Sequence, residues 1–149
     1  GIRWAHNFAD GLQIVPGSSL PGPNGLESSR DGRWLYVGAW GSESVVRLSR
    51  GQTPVKKDAG GVGFRVDNVR WATDGSLLAA GQGGAAPAEA SHVARVNFTS
   101  MTSQELVRYP FSDTFSMGTV AIEVGRDLWV GTYRGDRIAI FPATPRRPK

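Results

Sequence analysis

The chain has no cysteine, so neither a disulfide nor a thiolate metal site can brace it, although compartment stays open because proteins on both sides of a membrane dispense with the residue. Long apolar runs are missing as well. The longest extend about four or five residues, far below the roughly 20 that a membrane-spanning helix needs, and no membrane partner is expected. No stretch sustains a helical rhythm. The opening Gly1-Ile2-Arg3-Trp4 carries neither a basic n-region nor an apolar h-region, so no signal peptide is visible and localisation is left unassigned.

Concentrated charge is the next absence. The net charge of +4 would suit nucleic acid, yet Arg30, Arg33, Arg47, Arg50, Arg65, Arg70, Arg95, Arg108, Arg126 and Arg137 are scattered, with acids between them. Only Arg146-Arg147-Pro148-Lys149 forms a compact basic cluster. A nucleic-acid footprint needs a patch, so none is expected.

What is present is a repeated phrase. Pro23-Asn24-Gly25-Leu26 leads through Asp31-Gly32 into Trp34-Leu35-Tyr36-Val37-Gly38, Asp67-Asn68-Val69-Arg70-Trp71 leads through Asp74-Gly75 into Leu77-Leu78-Ala79-Ala80-Gly81, and Gly118-Thr119-Val120-Ala121-Ile122 leads through Gly125 into Leu128-Trp129-Val130-Gly131. Each copy is strand, tight turn, strand. A recurrence every roughly 40 to 50 residues, built from strands and turns alone, marks an all-β fold of propeller blades. With 149 residues, 40% of them hydrophobic and 20% charged, the chain suits one globular domain.

Boundaries fall near 20–60, 64–112 and 116–142, followed by a basic, Pro-rich tail over 143–149. Strands are expected at 25–28, 34–40, 45–49 and 54–58, then at 68–72, 77–82, 93–98 and 105–109, then at 119–124, 128–133 and 138–141, with 12–15 as the outer strand of a preceding blade. Propellers close with four to eight blades. Residues 1–149 therefore read as one half-propeller domain, completed by a homodimer partner or by a complementary N-terminal half.

Repetition also locates a site. The residue opening each inner strand and the loop after each second strand return to one face, which gathers Asn24 with Trp40, Asp67 and Asn68 with Gln82, and Thr119 with Tyr133 and Arg134. The Asp-Gly turns lie at the other face and are read as structural. Trp34, Trp71 and Trp129 are read as fillers between blades, His92 as belonging to a peripheral loop, and His6 falls in no motif. The orientation of Glu27 and Glu123 is left open.

Gly22-Pro23-Asn24-Gly25-Leu26, Asp31-Gly32-Arg33-Trp34-Leu35-Tyr36-Val37, Val66-Asp67-Asn68-Val69 and Asp127-Leu128-Trp129-Val130-Gly131 resemble the six-bladed propeller family of gluconolactonase, senescence marker protein lactonases, paraoxonases and strictosidine synthase. The resemblance implies a calcium-dependent hydrolase of lactones or aryl esters, with Asn24 and Asp67 as ligands to Ca2+ or another hard divalent cation. It makes Asp67 the catalytic residue, holding the metal and orienting or deprotonating water. Asn68 matches the paraoxonase branch. Gln82, Thr119, Trp40, Tyr133 and Arg134 become substrate-binding candidates for a small-molecule ester or lactone. Hard cations favour oxygen donors, and several blades can each contribute one. The third repeat departs by opening on Thr119 rather than an acid. Asn24 and Asp67 equally suit turn capping, and two other functions stay open: a noncatalytic binding module, and a strictosidine synthase-like site using a late Glu.

Overall fold

The computed structural model describes residues 3–4, 13–84 and 89–142, the first pair by backbone alone. His6 and the basic tail 143–149 lie outside the described residues, as does Leu12 of the expected 12–15 strand. Strands β1 (Arg3–Trp4) and β2 (Gln13–Ile14) form an antiparallel pair. Three antiparallel meanders follow. The first contains β3 (Pro23–Ser28), β4 (Trp34–Ala39), β5 (Ser44–Ser49) and β6 (Lys57–Gly61), and the second β7 (Arg65–Trp71), β8 (Leu77–Gly83), β9 (Ala90–Val96) and β10 (Ser103–Tyr109). The third contains β11 (Phe115–Val124), β12 (Asp127–Gly135) and β13 (Ala139–Pro142). The fold is all-β and consists of consecutive propeller blades, with β3, β7 and β11 side by side as the inner strands. Among the described residues no helix is long and apolar enough to cross a membrane.

Alternation along each strand divides its residues between two neighbours. Tyr36 and Val45 of the first blade share a buried cluster with Val66, Val69, Leu77, Ala79, Ala94 and Val96 of the second. Leu78, Ala80 and Val93 point the other way, into a cluster with Ala121, Leu128 and Val130 of the third. Trp34 and Trp71 do fill space between blades, Trp71 standing edge-on to Tyr36 at 5.4 Å and to Phe98 at 5.6 Å. Its indole N–H also donates to the Ser28 carbonyl of the neighbouring inner strand, at 2.8 Å. Each large side chain buried this way is worth about 1.5–3 kcal/mol.

Turn chemistry follows the sequence reading. Gly32 and Gly75 adopt φ of 69° and 84°, conformations a side chain disfavours, while Asp31 and Asp74 each accept two hydrogen bonds within their own turn. These bonds, from Ser29 and from Ser76 respectively as the leading donors, hold both carboxyls below the usual aspartate range.

One strand is displaced. The first blade's outer strand is Lys57–Gly61 rather than 54–58, because Pro54 has no N–H to give a ladder and pairing with β5 begins where Lys57 meets Leu48. Gly60 suits the later register, since any Cβ there would overlap the Met101 carbonyl of the second blade.

The two ends of the arc differ. The first blade's outward face, made of Val37, Ala39, Val46 and Leu48, is buried beneath Leu20 and Val55. The third blade's outward face is bare: Ile122, Trp129 and Ile140 stand in one cross-strand row, with the isoleucines 47% and 52% exposed. Two bare end faces would follow from the repeat alone, and among the described residues there is one.

Candidate channel-mouth site

Each inner strand breaks register at the same place. The shift falls between Pro23 and Leu26 in β3, between Val66 and Asn68 in β7, and between Gly118 and Val120 in β11. The bulges therefore lie at Asn24-Gly25, at Asp67 and at Thr119. A bulge adds one residue to a strand and re-aims its side chain, so the three polar residues that open the repeats share one structural position.

The second blade supplies the centre. Asp67 and Asn68 are partly buried, and Gln82 is 2% exposed. The Gln82 amide nitrogen donates to Asp67 Oδ2 at 3.2 Å and to the Gly118 carbonyl at 3.0 Å, while its oxygen accepts from the Trp40 indole N–H at 3.4 Å. Asn68 Nδ2 donates to Asp67 Oδ1 at 2.9 Å and to the Thr119 carbonyl at 3.0 Å. Two amides thus orient one carboxylate and bridge three blades.

Close approach makes this possible. A Cβ on Gly25 would lie 2.5 Å from the Asp67 carbonyl oxygen and 3.0 Å from Asn68 Oδ1, so the Pro-Asn-Gly glycine lets the first inner strand lie directly on the second. Asn24 itself is exposed at the rim.

The remaining candidates divide. Trp40 reaches the network and carries the Arg65 guanidinium 5.0 Å from its ring centre. Thr119 contributes its carbonyl to Asn68, and its hydroxyl turns to the Gly131 carbonyl at 3.5 Å. The bulge directs the Thr119 backbone oxygen toward Asn68. Tyr133 is 66% exposed and donates to the Met117 sulfur at 3.2 Å, and Arg134 lies 5.4 Å over Phe111. Among the described residues neither makes a polar contact with Asp67, Asn68 or Gln82.

Sequence reasoning missed two supports. Arg65 pairs with Glu89 at 2.6 Å and donates to the Gly84 carbonyl at 3.2 Å, which fixes the cation over Trp40. Ser91 is buried and accepts from the Gly118 N–H at 2.9 Å. Both lie outside the repeated phrase, where no spacing signals them.

His92 also needs correction. It is buried within β9, stacked on Phe64 with ring centres 5.1 Å apart, and its Nδ1 lies 2.7 Å from Glu105. Alternation turns it inward, away from any peripheral loop. Glu123 accepts from the Thr73 backbone N–H at 2.7 Å and from the Thr73 hydroxyl, and pairs with Arg95 at 2.7 Å. Those Thr73 bonds hold its carboxyl below the usual glutamate range, with Arg95 adding to the effect.

The donor set at the mouth is hard in kind and short in number. Asp67 is its carboxylate, with the Asn24 amide one bulge away, and among the described residues no three His, Cys, Asp or Glu gather into a metal-binding group. Asp67 makes no ion pair among those residues, and each of its oxygens accepts one hydrogen bond. A carboxylate offers about four lone-pair sites, so about half its capacity has no hydrogen-bond partner among the described residues. That fits a hard cation completed by other oxygens.

The fold and site define a blade-built β protein with a polar cluster at the bulged ends of its inner strands. No protein-family model matches the chain, and no curated protein does. Among solved structures, a catalytically inactive virginiamycin B lyase from Staphylococcus aureus, crystallised with quinupristin, is similar at 12% identity and a TM-score of 0.39. The similarity covers 91% of this chain and 60% of that one.

Proposed function

We propose that the bulge residues form part of the channel-mouth site of a closed propeller that binds a hard divalent cation of the calcium class and hydrolyses a lactone or aryl ester. One observation carries the reading: Asp67 is a partly buried carboxylate on a bulge, oriented by two amides and lacking a countercharge among the described residues. Burying such a group costs free energy unless a positive partner arrives. The resemblance of the Pro-Asn-Gly and Val-Asp-Asn phrases to lactonases names that partner. Asp67 and Asn24 are its ligands in this chain.

A bound cation of this class would polarise the ester carbonyl and stabilise the oxyanion. Asp67 would use its unengaged lone pairs to orient the attacking water and accept its proton. Asn68 and Gln82 act as positioning residues, because their amide nitrogens are engaged in holding Asp67 and the adjoining blade. Trp40 walls the mouth. Glu123, the late acid that the strictosidine synthase-like alternative would use, is engaged by Thr73 and Arg95.

A noncatalytic binding module is the second reading. It is favoured by three clefts among the described residues whose linings do not include Asp67. The test uses the protein with its ring closed. Millimolar calcium should raise Tm and a chelator should reverse the gain, with Asp67→Asn abolishing the response; phenyl acetate hydrolysis should fall at least about a hundredfold in Asp67→Ala. A calcium-insensitive Tm removes the metal, and absent hydrolysis with a preserved calcium response transfers the site to the binding module.

A further inference from the structure

A cleft of about 530 Å³ opens between the first and second blades, with Asp31 and Gly75 of their Asp-Gly turns at its edge. Trp34, Tyr36, Trp71 and Phe98 line it. Trp71 stands edge-on to Tyr36 and to Phe98, at 83° and 73° between ring planes, and Tyr36 is edge-on to Phe98 in turn, a herringbone that one more flat ring would continue. These walls are already fixed. The Ser28 carbonyl holds the Trp71 indole, while Arg47 lies 4.7 Å over Trp34, pairs with Asp58 and donates to the Phe98 and Thr99 carbonyls at 2.9 and 3.3 Å.

Tyr36 shows what the cleft is missing. The residue is 1% exposed, yet its hydroxyl has no hydrogen-bond partner among the described residues. Fully enclosed side-chain nitrogens and oxygens without a partner are limited there to Arg65 Nε, so the Tyr36 hydroxyl keeps an opening, and the cleft that Tyr36 lines supplies it. An unpaired polar group at such depth costs free energy until a partner arrives. Burial raises this phenol above the ordinary tyrosine range, so at neutral pH it is protonated and donates.

Charge selects the acceptor. Asp31 is engaged by Ser29 and Arg33, and Arg47 by Asp58, whereas Arg30 is exposed in the lining without an ion pair among the described residues. We propose that this cleft binds a small aromatic carboxylate, with its ring against Trp71 and Phe98 and its carboxylate accepting from the Tyr36 hydroxyl in the positive field of Arg30 and Arg47. Its volume and its few polar groups among aromatic walls suit a small-molecule site. A sugar fits less well, because Arg47 takes one face of Trp34, Asp31 is already engaged, and no side-chain amide lines the cleft. Asp67 does not line it either, so the inference does not rest on catalysis.

The probe is 2-naphthoate, titrated into the full chain by calorimetry, with 2-naphthalenemethanol and cyclohexanecarboxylate as controls that lack the charge and the aromatic ring. Naphthoate should bind at least about tenfold more tightly than either and shift the Trp71 indole N–H resonance while that of Trp40 stays in place. Tyr36→Phe preserves the ring packing and should weaken naphthoate by about tenfold or more. Arg30→Gln, at an exposed position, should weaken it about two- to fivefold and leave the alcohol unchanged. Absence of binding at millimolar naphthoate, equal affinity for either control, or unaltered naphthoate binding by a folded Tyr36→Phe protein each overturns the proposal. A shift at Trp40 in place of Trp71 overturns it too, by moving the ligand to the channel mouth.

Discussion

The indole N–H of Trp40 donates to the side-chain oxygen of Gln82, and the two residues hold the same position in successive blades. Each is the second residue beyond the position opposite a bulge: Gly38 in the first blade and Ala80 in the second. Tyr133, two beyond Gly131, is their counterpart in the third. Trp40 leans on Gln82, Gln82 leans on Gly118, and Tyr133 is exposed beside the bare face. Blade-to-blade hydrogen bonding therefore runs around the mouth in one direction.

Gln82 should consequently be a stability residue as well as a positioning residue. Gln82→Leu keeps the volume but leaves the Gly118 carbonyl and Asp67 Oδ2 without their donor, which should lower unfolding free energy by at least about 2 kcal/mol in urea titration. Gln82→Glu should be worse at neutral pH, because it places a second carboxylate against Asp67, and should recover as pH falls and one of the pair protonates. Equal stability of the Leu and Glu variants at both pH values would remove the Asp67 contact from the argument.

Much of this was legible because repetition fixes register. Asn24, Asp67 and Thr119 were found from the spacing of Asp-Gly turns and terminal glycines, and all three occupy the same bulge. The bulge itself carries no sequence mark, so the reading named Thr119 only as a substrate-binding candidate and missed the bond that its carbonyl accepts from Asn68. His92 escaped because a polar residue near a Gly-rich segment suggests a loop, whereas alternation with buried Ser91 and Val93 is satisfied on both faces when the strand lies between blades. Partners from distant turns, such as Thr73 for Glu123 and Glu89 for Arg65, required the packed blades.

The glycine of the Pro-Asn-Gly phrase offers a direct contrast. Gly25→Ala forces a methyl against the Asp67 carbonyl, 2.5 Å away, whereas a Cβ at Gly61 meets nothing within 4 Å. Backbone cannot yield as a flexible side chain does. Gly25→Ala should cost about 2 kcal/mol or more and shift the Asp67 amide resonance, while Gly61→Ala should stay within about 0.5 kcal/mol of the parent. A tolerated Gly25→Ala would mean the inner strands are further apart than described.

His92 should matter for folding. Its ring stacks on Phe64 and meets Glu105 in a buried strand, so His92→Ala opens a cavity and should cost about 2–4 kcal/mol. Loss measured in denaturant with the Asp67 site otherwise intact would confirm a structural role. A variant as stable as the parent would return His92 to the surface.

Glu123 predicts a pH signature with a definite sign. Its carboxyl sits below the usual glutamate range because of the Thr73 hydrogen bonds and Arg95, so the folded state favours the ionised form. The stability advantage over Glu123→Gln should therefore be complete above the ordinary unfolded value, near about pH 4.3, and should vanish as pH falls through the lower folded value. The turn carboxylates Asp31 and Asp74 titrate low in both proteins and cancel from the difference. A difference that grows on acidification would reverse the assignment.

The bare face of the third blade should govern association. Ile122, Trp129 and Ile140 form an apolar row where the first two blades bury the corresponding Tyr36 and Leu78 against a neighbour. Exposed apolar surface of this kind marks an interface. Light scattering should give a mass above the 16.0 kDa of one chain, and Ile122→Lys with Ile140→Lys should return the mass to that of one chain without loss of β structure, because both side chains project from the blade rather than into it. Since Leu20 and Val55 already cover the other end of the arc, closure by two copies requires that cover to move, and a double variant that still associates would place the contact at the β13 edge instead. A parent protein that stays at one chain's mass at high concentration would show that the row is tolerated in water and would remove association through this face altogether.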